Sequence, residues 1–139
     1  MSLYALDTDM LSLWQHSHPV VSQRIAARQP DELSVTVITV QEQLDGWHAR
    51  LPRARTPTRI ADLYRRLAET VRFLSRLEIL HYTEAAIRRY GHLRKQCPAV
   101  GRMDLRIGAT ALEHGAIVVT RNLTDFRRIP GLQCEDWSQ

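Results

Sequence analysis

Cysteine is scarce in these 139 residues: Cys97 and Cys134 stand far apart, without the spacing of a metal-binding pair, and both read as buried or inert thiols. No apolar run reaches the roughly eighteen residues a membrane-spanning helix needs. The opening Met1-Ser-Leu-Tyr-Ala-Leu-Asp7 has neither the basic head nor the long apolar stretch of a signal peptide. A cytoplasmic protein that does not enter membranes is the expectation. Gly-x-Ser-x-Gly, Gly-Lys-Ser/Thr and Gly-x-Gly-x-x-Gly are all missing, so serine-triad, phosphate-loop and dinucleotide-cofactor chemistry lose their main support. Lysine is nearly absent too; Lys95 is the only one.

What remains is an arginine-rich chain of net charge +4, long enough for one core and read as a single domain over residues 1–139. The positive charge is uneven. Between residues 50 and 66 stand Arg50, Arg53, Arg55, Arg59, Arg65 and Arg66 against Asp62 alone. Such a stretch is either a solvated face or a surface for a polyanion. His16, His18, His48, His81, His92 and His114 are scattered, without ligand spacing, and read as surface or packing residues.

Strand and helix signals alternate along the chain. Leu3–Leu6, Leu33–Ile38, Glu78–Tyr82, Ala116–Thr120 and Gln133–Glu135 read as strands. Thr8 or Asp9 is placed to cap a first helix, and Pro19 to open a second. Thr39 opens a third helix with Val40, Leu44, Trp47 and Leu51 on one face, ended by Pro52. Thr56-Pro57 starts a long fourth helix, whose Ile60, Leu63, Tyr64, Leu67, Val71 and Leu74 keep helical spacing; the two should form a helical hairpin. Thr83 caps a further helix, and Asp104–His114 is apolar nearly all round, hence buried, with Gly115 at its end. Arg121–Phe126 reads as a loop or helical turn. The alternation predicts an α/β fold with a mainly parallel sheet.

Four carboxylates fall at the ends of these apolar runs: Asp7, Glu42, Asp104 and Asp125. Each has a structural competitor. Asp7 can cap the next helix, Thr39-x-x-Glu42 spells a capping box, Asp104 suits a helix N-terminus, and Asp125 suits a turn. In open α/β sheets, however, sites form beyond the carboxyl ends of the strands. Acids brought together there must take up protons or bind a cation. Joint placement is the stronger reading, and it points to metal.

The residues around these acids carry a resemblance. Leu6-Asp7-Thr8-Asp9-Met10-Leu11 resembles the opening Leu-Asp-Thr-Asn/Asp-x-Leu of PIN-domain ribonucleases, specifically VapC-type toxins of bacterial toxin–antitoxin pairs. Val37-Ile-Thr-Val-Gln-Glu42 resembles their strand–helix segment ending in Glu. Asp104-Leu-Arg-Ile-Gly-Ala resembles Asp-x-x-Ile-Ala-Ala, and Thr120-Arg-Asn-Leu-Thr-Asp125-Phe resembles Thr-x-Asn-x-x-Asp-Phe. The departures are small: Gly108 stands where Ala is usual, Asp9 where Asn is common. The resemblance implies a three-layer α/β/α domain and an endoribonuclease needing Mg²⁺ or Mn²⁺, ligated by Asp7, Glu42, Asp104 and Asp125. Thr8, Thr120 and Asn122 would support those ligands, and Arg102, Arg106 and Arg121 would hold phosphates. It further implies a homodimer and a cognate antitoxin that blocks the site, with the hairpin as a plausible interface. Two rivals stand beside it. One is a PIN-fold module that binds RNA or protein without cutting. The other is a haloacid-dehalogenase-like phosphatase with Asp7 as nucleophile and Asp9 as acid/base, which leaves Glu42 without a role and only Lys95 as its lysine.

Overall fold

The computed structural model describes residues 2–139. Five short strands, β1 (Leu3–Leu6), β2 (Leu33–Thr36), β3 (Glu78–Leu80), β4 (Ala116–Val119) and β5 (Cys134–Glu135), form one sheet in the order β3-β2-β1-β4-β5. Every neighbouring pair is parallel. Parallel strands need crossovers, and these are supplied by α1 (Thr8–Gln15), α2 (Pro19–Ala26), α3 (Val37–Arg50), α4 (Pro57–Leu74), α5 (Glu84–Gln96), α6 (Arg102–His114) and the single turn α7 (Leu123–Phe126).

Helices cover both faces of the sheet because strand side chains alternate. Ala5 and Val118 point into one core, with Leu93, Leu105, Ile107 and Phe126. Tyr4, Leu6, Val35 and Val119 point into the other, with Met10, Leu11, Val21, Ile25, Leu74 and Trp137. The result is the expected three-layer α/β/α arrangement. α6 is its most buried helix, and its Gly108 lies so close to a neighbour that a Cβ there would meet Ile129 Cδ1 at 2.6 Å. Gly115 ends α6 with φ 66°, a conformation other residues adopt at a cost.

Several local expectations shift. β2 ends at Thr36 and not Ile38, and Thr36, not Thr39, caps α3: its Oγ1 accepts from Thr39 N–H at 3.2 Å. The Thr39–Glu42 box therefore does not form, and Glu42 is released from that duty. β3 stops at Leu80 and β4 at Val119. α6 begins at Arg102, two residues ahead of Asp104, with Gly101 at its cap. Asp7, not Thr8 or Asp9, caps α1, and His18 Nδ1 accepts from Val21 N–H at the start of α2. The hairpin of α3 and α4 is present, tied by Trp47 Nε1 donating to Thr70 Oγ1 at 2.8 Å. Its stripe is divided: Leu63 and Leu74 are buried, while Ile60, Tyr64 and Val71 face solvent. No helix among the described residues is long and apolar enough to cross a membrane.

Candidate active site

With strand order 3-2-1-4-5, the chain leaves β1 and β4 in opposite directions, and a crevice opens beyond their carboxyl ends. Asp7 follows β1 directly. Its Oδ1 accepts from Thr8 N–H at 2.9 Å, which caps α1, and its Oδ2 accepts from Thr120 Oγ1, also at 2.9 Å. Capping α1 leaves the second carboxylate oxygen at the crevice, so the two readings of Asp7 in the sequence do not exclude each other.

Thr120, fully buried just past β4, also accepts from Asn122 N–H at 3.0 Å. This fixes the loop so that Asn122 Nδ2 donates to Asp104 Oδ2 at 3.2 Å and to Asp125 Oδ2 at 3.1 Å. One neutral amide thus spans an acid on the first turn of α6 and another on α7. Thr120 and Asn122 are thereby hydrogen-bonded to three of the four acids.

Asp9 is a member of the cluster that sequence reasoning did not place there. Its Oδ2 accepts from Arg121 N–H at 2.9 Å, joining the first turn of α1 to the loop after β4. Its charge bears on both Asp7 and Asp104. The available signal was its position two residues after Asp7 at a strand end.

Electrostatics report the crowding. Burial, reinforced by Asp9 and Asp104, pushes the Asp7 carboxyl from 3.8 up to about 6 against the hydrogen bonds from Thr8 and Thr120. Burial, then Asp7 and Asp104, raises Glu42 from 4.5 to about 7. Asp104 is raised by burial and by Asp125 and Asp9, while Asn122 opposes the rise. Glu42, on the first turns of α3, therefore shares the field of Asp7 and Asp104.

Of the three arginines expected to hold phosphate, Arg102 and Arg121 are exposed. Arg106 does not join them: its guanidinium lies 4.9 Å over the Tyr90 ring, and Nη1 contacts Met103 Sδ. Two residues on from Asp104, an α-helix has turned by about 200°, so that Arg106 faces α5.

The donor set suits a hard divalent cation. All its atoms are oxygens. Thr8 Oγ1 and Asp9 Oδ1 are buried there without hydrogen-bond partners. Among the described residues, no group of three or more His, Cys, Asp or Glu is placed to hold a metal ion in this arrangement.

A family model for the PIN domain matches residues 4–132. The tRNA(fMet)-specific endonuclease VapC of Shigella flexneri is 30% identical over 143 residues, covering 99% of this chain and 100% of the relative. Its namesake from Salmonella typhimurium is 47% identical over 78 residues, 52% of this chain and 58% of the relative. Among solved structures, DNA-bound VapBC from Salmonella typhimurium matches with a TM-score of 0.79 at 29% identity, covering 99% of each chain.

Proposed function

The chain belongs to the PIN-domain family and within it to the VapC ribonucleases, and from that premise we propose that it is a metal-dependent endoribonuclease, the toxin of a toxin–antitoxin pair. The observation that carries this reading is the linked set of acids at the crevice: Asp7 held by Thr120, and Asp104 and Asp125 joined by Asn122. A phosphatase of the Asp-x-Asp kind would leave that bridge and Glu42 idle.

Asp7, Glu42, Asp104 and Asp125, with Asp9 beside them, would hold Mg²⁺ or Mn²⁺. Such a cation, when bound, polarises a phosphoryl oxygen and lowers the pKa of a water. The chain's own residues do the rest. Asn122 keeps Asp104 and Asp125 in register without neutralising either. Thr120 orients Asp7 so that its carboxylate is presented toward the crevice. Burial and the charges of Asp7 and Asp104 push Glu42 up to about 7, so its carboxyl would have to give up its proton to ligate a cation. Arg102 and Arg121, both exposed, meet the phosphates that flank the cut.

The relatives from Shigella and Salmonella are named for tRNA(fMet), which makes initiator tRNA the first substrate to try. The VapBC neighbour is a complex with its antitoxin, and a corresponding small antitoxin covers this crevice. The protein works as a homodimer in the cytoplasm. The test is cleavage of purified initiator tRNA with Mg²⁺ or Mn²⁺, with EDTA, and with Asp104→Asn. Cutting that needs metal and vanishes in the variant is expected. Undiminished cutting by the variant, or in EDTA, refutes the site.

A further inference from the structure

Two cavities meet at Arg50. The larger, of about 740 Å³, begins at Thr8 and Glu42 and follows α3 past Trp47 to Arg50, with Arg66 and Phe73 of α4 on its other wall. The smaller, of about 400 Å³, lies at the tip of the hairpin and is lined by Arg50, Arg53, Arg55, Thr56, Arg59 and Leu63. No acid lines it. Among the described residues Arg59 alone of these arginines has an ion-pair partner, Asp62 at 3.1 Å.

Four guanidinium groups around so small a space repel one another, and their fields add where they converge. The start of the 18-residue α4, capped by Thr56, opens onto the same space and contributes the positive end of its dipole. The excess of positive charge around this space suits an anion, and guanidinium groups match phosphate oxygens in pairs.

The path to it is also informative. Glu42 and Arg50 are eight residues apart on one helix, hence about 12 Å, the length of three or four stacked nucleotides at ~3.4 Å each. Trp47 stands between them on that path, with the Arg50 guanidinium 5.0 Å over its ring. The larger cavity carries Arg50 and Arg66 against Glu42 and Glu69, so the positive charge lies toward its Arg50 end; arginine beside an aromatic ring is the general construction for holding single-stranded nucleic acid.

The geometry points to a second anchoring site for single-stranded RNA: the arginine cavity at the hairpin tip holds a backbone phosphate three or four nucleotides from the bond at the acid cluster. The location of the cut rests on the nuclease reading above; the binding itself does not. An acidic protein segment would meet the same charges, but it has no use for the aromatic face on the way.

The test compares Arg53→Gln/Arg55→Gln with the parent, both carrying Asp104→Asn so that RNA stays whole. Arg88→Gln/Arg94→Gln, on α5 across the sheet, controls for lost charge. The probes are a labelled 20-nucleotide oligouridylate and a 20-residue polyglutamate, titrated between 50 and 300 mM NaCl. Losing that one phosphate contact lowers the salt slope for RNA by about 0.7 and weakens binding about fourfold at 150 mM. Arg53→Lys/Arg55→Lys restores the slope. An unchanged slope, an equal drop in the α5 control, or a larger loss for polyglutamate than for RNA overturns the proposal. Metal-dependent cutting by the wild type is scored apart: a protein that never cuts yet shows the slope change keeps the anchor and loses the nuclease reading.

Discussion

Asp7→Asn asks whether the acids are held together against their own repulsion. Burial and its acidic neighbours raise Asp7 from 3.8 to about 6. A carboxyl whose folded pKa lies above its unfolded value binds its proton more tightly when folded. The metal-free protein therefore loses stability as pH rises from about 4 to about 7. A rise from 3.8 to about 6 corresponds to about 3 kcal/mol once Asp7 is fully ionised, less what solvent screens at this half-open site. Asparagine keeps the shape and removes the charge. Its carbonyl still accepts from Thr8 N–H. Its amide, however, donates where the carboxylate accepted, so the Thr120 hydroxyl loses its acceptor at a cost of about 1 kcal/mol. The net gain above pH 7 is about 2 kcal/mol, or about 7 °C in melting temperature for a chain of this size. Thermal melts of both proteins in EDTA, from pH 4 to pH 8, measure it. The difference should open with rising pH and vanish or reverse below pH 4. A variant no more stable than wild type at pH 8, or a difference indifferent to pH, refutes the argument.

Asn122→Ala removes the bridge between Asp104 and Asp125 and should cost about 10- to 100-fold in Mn²⁺ affinity, read by calorimetry; unchanged affinity would show the amide to be idle. Mn²⁺ at a hundredfold excess over its dissociation constant should stabilise the fold by about 2.7 kcal/mol. Because Asp7 at about 6 and Glu42 at about 7 hold protons in the metal-free protein, binding near pH 6.5 should release them. Titrations in two buffers of different ionisation enthalpy detect the release, and identical heats in both count against it. Gly108→Ala places a methyl 2.6 Å from Ile129 Cδ1 and should cost about 1 kcal/mol, recovered in part when Ile129→Val is added; additive losses in a double-mutant cycle would mean that the contact relaxes freely.

The strands and most helix starts were legible because they are local events. An apolar run between turn signals needs to be paired, and Thr56-Pro57 or Thr83 announces a helix within its own first turn. Val35 to Val40 was harder: a β-branched stretch serves a strand and a helix alike, and burial of Ile38 among the α6-side core residues decides where one gives way to the other. Asp7, Asp104 and Asp125 were legible as strand-end and helix-start acids. Asp9 was not, since its partner is a backbone amide 112 residues away. Arg106 misled through nearness in sequence, where helical rotation sets direction. The division of the α4 stripe into buried and exposed apolar residues depends on how closely the hairpin lies on the body, which spacing alone does not encode.

The link between Asp7 and Thr120 spans 113 residues, and β1 lies between β2 and β4, so that one of its two edges stays bare until residues 116–119 arrive. During synthesis the first strand leaves the ribosome early and waits for nearly the whole chain. A fragment that stops short of Thr120 lacks the hydroxyl that orients Asp7, the amide that joins the other acids, and the last of those acids. For an enzyme directed at RNA, made on an RNA machine, this ordering has a practical result. On the site reading proposed above, pieces that stop before residue 125 carry an incomplete set of acids.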